Sequence, residues 1–303
     1  MPTLDALLGA GHEIALVVTQ PDRPVGRKQR VEASPVKQAA LASGLAVTQP
    51  EKIRKNLEFE ALVKEASPQA IVVVAYGRIL PLWMLQTPAL GCINLHASLL
   101  PKYRGAAPIQ WALACGESVT GNTTMLLEEG LDTGPILMQQ TVPITADQTA
   151  VELFASMARL GAPLVVETLA GLEQGRIFPV RQEDDRATLA PMLTRDDGLM
   201  NFAAHTATEL VNRWRGFQPW PGAWTRVDGK KLIVHRMAVT EAVSEGRMGW
   251  LTIVGDRLLA SCQGNTGVEF VEVQPEGKRR MTVAEWLRGM SETDRLRLNA
   301  SRP

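Results

Sequence analysis

The sequence predicts an α/β domain built on a mostly parallel sheet, followed by a small β-barrel or sheet domain. In the first half, short apolar runs (HEIALVVT 12–19, QAIVVVAYG 69–77, GCINLHASL 91–99) alternate with helical segments, as in a sheet covered on both faces. From Ala223 onward, short strand-like pieces alternate with turns at Asp228-Gly229, Gly246, Gly255-Asp256, Gly264-Asn265 and Glu276-Gly277. A chain of 303 residues is also too long for one small module and suits two domains.

Residues 3–10 read as a helix ending at Gly11, and 12–19 as a continuous apolar strand. TQPDRPVGRKQRVEASP (19–35) is a breaker-rich loop. The next helix, 35–45, has Ser34 as N-cap, Pro35 at its first position and Gly44 near its end. A strand over 69–77 leads to a helix after Pro81, and a strand over 91–99 to a helix over 106–118. Residues 120–144 break the alternation and read as two strands joined around Gly130 and Gly134. A long helix follows over 148–174, its leucines and Met157 at three- and four-residue steps, with a kink expected at Pro163. Residues 174–194 are charged and aperiodic, which places a linker there, and 206–216 read as one more helix.

Composition excludes several classes. With 45% hydrophobic and 21% charged residues the chain is no disordered polymer, and no run of eighteen apolar residues is present. The first residues lack a basic segment and a long apolar stretch, so a secretory signal is not expected. Cys92, Cys115 and Cys262 are odd in number and far apart, which excludes a disulfide framework and metal-site spacing. A cytoplasmic protein with reduced thiols and no metal is the expectation. A net charge of zero excludes a uniform attraction to nucleic acid but not a local basic patch.

Chemistry gathers at two places. In open α/β sheets ligands bind beyond the carboxyl ends of the strands. There Asn94, His96 and Ser98 share one face by the period of two, ahead of a loop holding Pro101, Arg104 and Gly105. The second place is Asp132 in GLDTG, where flanking glycines permit a tight turn and close approach to a ligand. A turn aspartate bonding its own backbone is the plainer reading of Asp132, and a satisfied core histidine that of His96. One DTG in an α/β pattern does not make an aspartic protease, which needs two carboxylates sharing a proton. Together Asn94, His96 and Asp132 supply an oxyanion donor, a titratable ring and a carboxylate, the parts for acyl or formyl transfer to an amine. No Ser or Cys has an obvious activating base, which favours direct transfer over a covalent intermediate.

INLHASLLPKYRGAAPIQW (93–111), followed by GLDTGPIL (130–137), closely resembles the folate-dependent formyltransferases. VVTQPDRPVGR (17–27), VVVAYGRILP (72–81), GFQPWPGAWT (216–225) and VQPEGKRRMTVAEWL (273–287) extend the resemblance over almost the whole chain. It implies a Rossmann-like catalytic domain over 1–175, a linker over 176–195 and an OB-like C-terminal barrel over 196–303 that binds tRNA. It also implies 10-formyltetrahydrofolate as co-substrate and the methionyl amine of initiator tRNA as acceptor, for translation initiation, with the chain acting as a monomer. Asn94 and His96 would contact the formyl oxygen as charge develops on it. Asp132 would arrange His96 and a water and help take the amine proton. Ser98, Leu99, Leu100 and Pro101 match the tetrahydrofolate loop, and Arg78, Ile79 and Leu80 the folate-pocket strand end. In the loop over 19–37, Arg23, Arg27, Lys28, Arg30 and Lys37 outnumber Asp22 and Glu32, which suits phosphate contacts to an acceptor stem. Trp214, Trp220 and Trp224, near Arg213 and Arg215, are expected to pack a domain interface rather than stack on bases.

Two departures from the family pattern stand out. Family members start with an extra strand and a Gly-Thr-Pro turn ahead of the helix at 3–10. That strand would lie centrally beside the catalytic strand, and its absence would leave two ladder edges unpaired at a cost of several kcal/mol; Met1 is therefore expected to be an internal or misassigned start, and a chain truly beginning there to be unstable or inactive. Met192, in LAPMLTR, stands where relatives usually carry a lysine. The alternatives are formyl transfer to another amine, on a sugar nucleotide or glycinamide ribonucleotide, and a non-catalytic RNA-binding protein.

Overall fold

The computed structural model describes residues 1–25, 30–241 and 248–299. The chain forms two compact units whose packing does not follow chain order. The first comprises Met1–Pro108, Val119–Pro143 and Phe154–Pro191, and the second Ile109–Ser118, Ile144–Leu153 and Met192–Pro303.

The N-terminal elements are α1 (Pro2–Gly9), β1 (Val17–Val18), β2 (Arg23–Val25), β3 (Arg30–Glu32), α2 (Pro35–Ala42), β4 (Val47–Thr48), α3 (Leu57–Ala66), β5 (Ile71–Val73), α4 (Leu82–Leu85) and β6 (Cys92–His96). Then come α5 (Pro108–Ala114), β7 (Val119–Leu126), β8 (Ile136–Pro143) and α6 (Ala150–Glu173). Ser34 caps α2 as expected, its side chain accepting from the Lys37 N–H at 3.2 Å. Asn56 caps α3, whose Phe59 and Val63, four residues apart, are buried. The expected loop over 19–35 contains a short antiparallel ribbon, with Arg23 opposite Glu32 and Val25 opposite Arg30.

A four-stranded sheet runs β5-β6-β7-β8, with β5 parallel to β6 and the other pairs antiparallel. β1 pairs in parallel with β4 in a separate two-stranded sheet. Both strands are much shorter than the apolar runs that hold them, and among the described residues β1 pairs with no strand but β4, and β5 with none but β6. Among the described residues β1 and β5 each leave one edge without a strand partner, as β4 and β8 do at the other ends of their sheets. This corrects the expectation that the strand of Asn94 and His96 would be left with an unpaired edge: β6 has a partner on each side. Side chains from both edges still share cores: Leu16, Val18, Ile71 and Val73 pack against one cluster, Ile14, Ala70 and Val72 against the other.

α6 continues through Pro163. By length and composition it could cross a membrane. Its Leu153, Met157 and Val165 are fully buried in the fold, as in a core helix. Residues 176–191 run along the first unit. Val180 exchanges 2.8 Å backbone bonds with Ile136, and the Ala190 N–H donates to the Arg104 carbonyl at 2.7 Å.

The second unit holds α7 (Ala207–Gly216), β9 (Ala223–Val227), β10 (Lys230–Glu241), β11 (Leu251–Val254), β12 (Arg257–Cys262), β13 (Thr266–Pro275), β14 (Met281–Thr282), α8 (Val283–Arg288) and α9 (Glu292–Asn299). The antiparallel ladder runs β11-β12-β13-β10-β9, with β14 on β13. The expected turns at Asp228-Gly229 and Gly255-Asp256 join β9 to β10 and β11 to β12, while Gly246 lies outside the described residues. A capping box of Thr206 and Glu209 starts α7. Phe202, Leu210, Leu232, Leu258 and Phe270 form one closed core. Trp111 of α5 meets Phe217 edge to face at 5.5 Å. Trp214 and Trp224 donate their indole N–H groups to the carbonyls of His235 and Arg195, and Trp220 is exposed.

Candidate active site

β6 places the site. Ile93 and Leu95 point into the cluster of Leu7, Val165 and Leu169, while Cys92 points into that of Phe59, Val63 and Met84. By the strand period, Asn94 and His96 share the face of Cys92, toward the carboxyl end of the strand. The Asn94 amide makes no hydrogen bond to another described residue, which leaves two donors and an acceptor for a ligand.

His96 is buried, and its Nε2 lies 2.9 Å from the Tyr103 carbonyl oxygen. A carbonyl only accepts, so Nε2 carries a proton and donates it. Nδ1 then faces the Asp132 carboxylate, with Oδ2 at 3.6 Å. That is ion-pair range for a protonated ring and too long for a direct hydrogen bond. When protonated, the ring donates from both nitrogens, with Asp132 as counter-charge.

Asp132 sits in the left-handed region at φ 52°, a conformation that short polar side chains tolerate best. Its Oδ2 accepts from the Gly105 N–H at 2.8 Å. Gly105 has φ +121° and a Cβ there would lie 2.6 Å from the Ala190 carbonyl oxygen, so a larger residue would disturb the donor that holds the carboxylate.

The structure thus places Asp132 beside His96, which shares its strand face with Asn94 toward the carboxyl end of β6. The SLLP loop is wired into the same end. Ser98 is fully buried and its hydroxyl donates to the Lys102 carbonyl at 2.6 Å, so it closes the loop. The Leu100 N–H donates to Thr123 Oγ1 at 3.2 Å, and the Pro101 carbonyl accepts from the Thr188 N–H. Arg78 is committed to its neighbours: Nε donates to Gln20 Oε1 and Nη1 to the carbonyls of Pro50 and Glu51. Ile79 is exposed and Leu80 buried.

Family models match along this architecture. The formyl transferase model covers residues 2–169 and the formyl transferase C-terminal domain model covers residues 192–291. The chain belongs to the formyl transferase family. It is 58% identical over 300 residues to the methionyl-tRNA formyltransferase of Acidobacterium capsulatum, covering 99% of this chain and 96% of that one. With the enzyme of the same name from Koribacter versatilis the identity is 52%, over 95% and 92% of the two chains. Among solved structures, an N-formyltransferase from Helicobacter canadensis, in complex with folinic acid and dTDP-3-aminofucose, aligns with TM-score 0.63 at 18% identity, over 90% of this chain and 94% of that one. HypX from Aquifex aeolicus in complex with tetrahydrofolic acid aligns with TM-score 0.60 at 16% identity, over 90% and 46%. At these identities the two structures speak to the fold alone.

Of the basic-loop residues, Arg23 is exposed on β2 and Arg30 lies on β3, while Arg27 and Lys28 fall outside the described residues. Lys37 is paired with Asp22 at 2.6 Å, which removes it from the free cations. Met192 is exposed. Tyr103 and Gln182 were not among the residues singled out from sequence. Tyr103 lies in the YRG of a motif already quoted, beside Gly105, whereas Gln182 sits in an aperiodic charged stretch without a signal.

Proposed function

We propose that the chain transfers the formyl group of 10-formyltetrahydrofolate to the methionyl amine of initiator tRNA, by direct attack. The observation that carries this reading is the Asp132 carboxylate held 3.6 Å from His96 Nδ1, on the strand face shared with Asn94. The acceptor is assigned from the two relatives that are more than half identical over nearly the full chain.

The amine nitrogen attacks the formyl carbon, and negative charge grows on the formyl oxygen. The Asn94 amide and the His96 ring contact that oxygen, a stabilisation that exists only as the charge develops. As the new C–N bond forms the amine loses a proton, and as the old one breaks the folate nitrogen gains one. The Asp132 carboxylate, with His96 and a water, carries that proton. No metal is required for any of these steps. Ser98 to Pro101 and Arg78 to Leu80 frame the folate site, and Arg23, Arg27, Lys28 and Arg30 meet tRNA phosphates. The chain works as a monomer in the cytoplasm.

The test is a formylation assay on charged initiator tRNA, with an amino-sugar nucleotide and glycinamide ribonucleotide as competing acceptors. Transfer to the tRNA alone is the expected result. Transfer only to a small amine, or salt-sensitive tRNA binding with no turnover, would sink the reading.

A further inference from the structure

Gln182 lies in the segment that reads from sequence as a linker, yet it is only 5% exposed. Its Oε1 accepts from Arg104 Nε at 3.0 Å and Nη2 at 2.8 Å. Its Nε2 donates to the carbonyls of Asp132 at 2.8 Å and Gly134 at 2.7 Å. Both amide hydrogens and the oxygen are used, and the orientation is forced: a guanidinium only donates and a carbonyl only accepts. Arg104 is itself buried and anchored to Asp184 at 2.8 Å.

These bonds fall on the backbone of the turn whose side chain does the chemistry. Among the described residues the Asp132 carboxylate is held by one hydrogen bond, from the Gly105 N–H, and its gap to His96 Nδ1 depends on where the turn sits. The turn runs through GLDTG with Asp132 at positive φ, and the Thr133 hydroxyl is turned away to Glu128. Gln182 is what fastens that backbone to the Arg104 side of the loop after β6.

We infer that Gln182 is a positioning residue for formyl transfer, holding the Asp132 turn from behind so that the carboxylate stays within reach of His96. This rests on the reading of Asp132 given above. A displacement of about 1 Å in a reacting constellation costs on the order of a hundredfold in rate.

The test uses the full chain with 10-formyltetrahydrofolate and charged initiator tRNA. Gln182→Met keeps the length and removes every hydrogen bond; Gln182→Glu keeps the acceptor for Arg104 and removes both donors to the turn. Each variant is expected to lower kcat by about 10- to 100-fold, with KM for both substrates within about twofold. In an Asp132→Asn background, Gln182→Glu should lower kcat by less than about twofold further, because the two residues act as one unit. Wild-type kcat in a folded Gln182→Glu variant would overturn the proposal. So would an equal loss in both backgrounds, since a general structural effect adds independently of Asp132. Should Gln182→Met fail to fold, Gln182→Glu decides. If the wild type turns over and Asp132→Asn does not, while the Gln182 variants are unaffected, the positioning role fails alone; if the wild type does not turn over, the functional reading fails with it.

Discussion

The two units manage their backbone in opposite ways. In the second, the twelve-residue β10 is paired along both edges, and β13 carries three partners. In the first, β1 and β5 have two and three residues and each has one unpaired edge. A large closed apolar cluster accompanies the first arrangement, and two smaller clusters with many half-buried members accompany the second. The first unit carries Asp132 at positive φ, the Asn94 amide that bonds no other described residue, and the buried His96.

Breaking that comparison starts with the dense core. Phe270→Ala should cost about 3–5 kcal/mol in urea unfolding of the full chain. Val72→Ala, at a half-buried position of β5, should cost only about 1 kcal/mol. Equal costs would erase the contrast. Next, Asn94→Ala and Asp132→Ala should each lower formylation by about a hundredfold or more, with the urea midpoint nearly unmoved. A midpoint that fell in step with activity would mean that these residues hold the fold together.

A smaller effect is confined to alkaline solution. Burial pushes the thiols of Cys92 and Cys262 up to about 12 from 9.0. In the unfolded chain they ionise near 9 while the folded chain keeps them neutral, so their contribution is intact below pH 9 and is lost as pH rises toward 12. Native-state alkylation should label the exposed Cys115 and leave the other two until unfolding; labelling of either in the native state would show that its unit opens. The smallest change is at a cap. Thr206→Ala should cost about 1 kcal/mol. The Thr206 N–H and hydroxyl hold the Glu209 carboxyl below its usual range, so that contribution is present above pH 4.5 and fades under more acid conditions. A cap variant as stable as the parent at neutral pH would remove it from the account.

Legibility followed locality. The cap of α2, the β-turns of the second unit and the face shared by Asn94 and His96 depend on neighbours in sequence, and they were readable. α3 was readable in principle, from Asn56 ahead of Phe59 and Val63, but these are the two buried residues of its ten and make a weak stripe. Strand ends were not readable: HEIALVVT has the composition of an eight-residue strand, yet the strand itself spans Val17–Val18. The site divides in the same way. Its side-chain chemistry stood out in the motifs, whereas Gln182, 50 residues from Asp132, is known only by what it touches.

The order of strands in the second unit also bears on how it folds. β9 with β10 and β11 with β12 are tight hairpins that close over two residues each. The central pairing of β10 with β13 joins Thr240 to Gly267 and Leu232 to Pro275, and it encloses the β11–β12 hairpin. Closing that long loop is cheaper once the hairpin inside it has formed, so the hairpins should precede the central pairing, and the rate of assembly should respond more to the Gly255-Asp256 turn than to substitutions at the rim of the ladder.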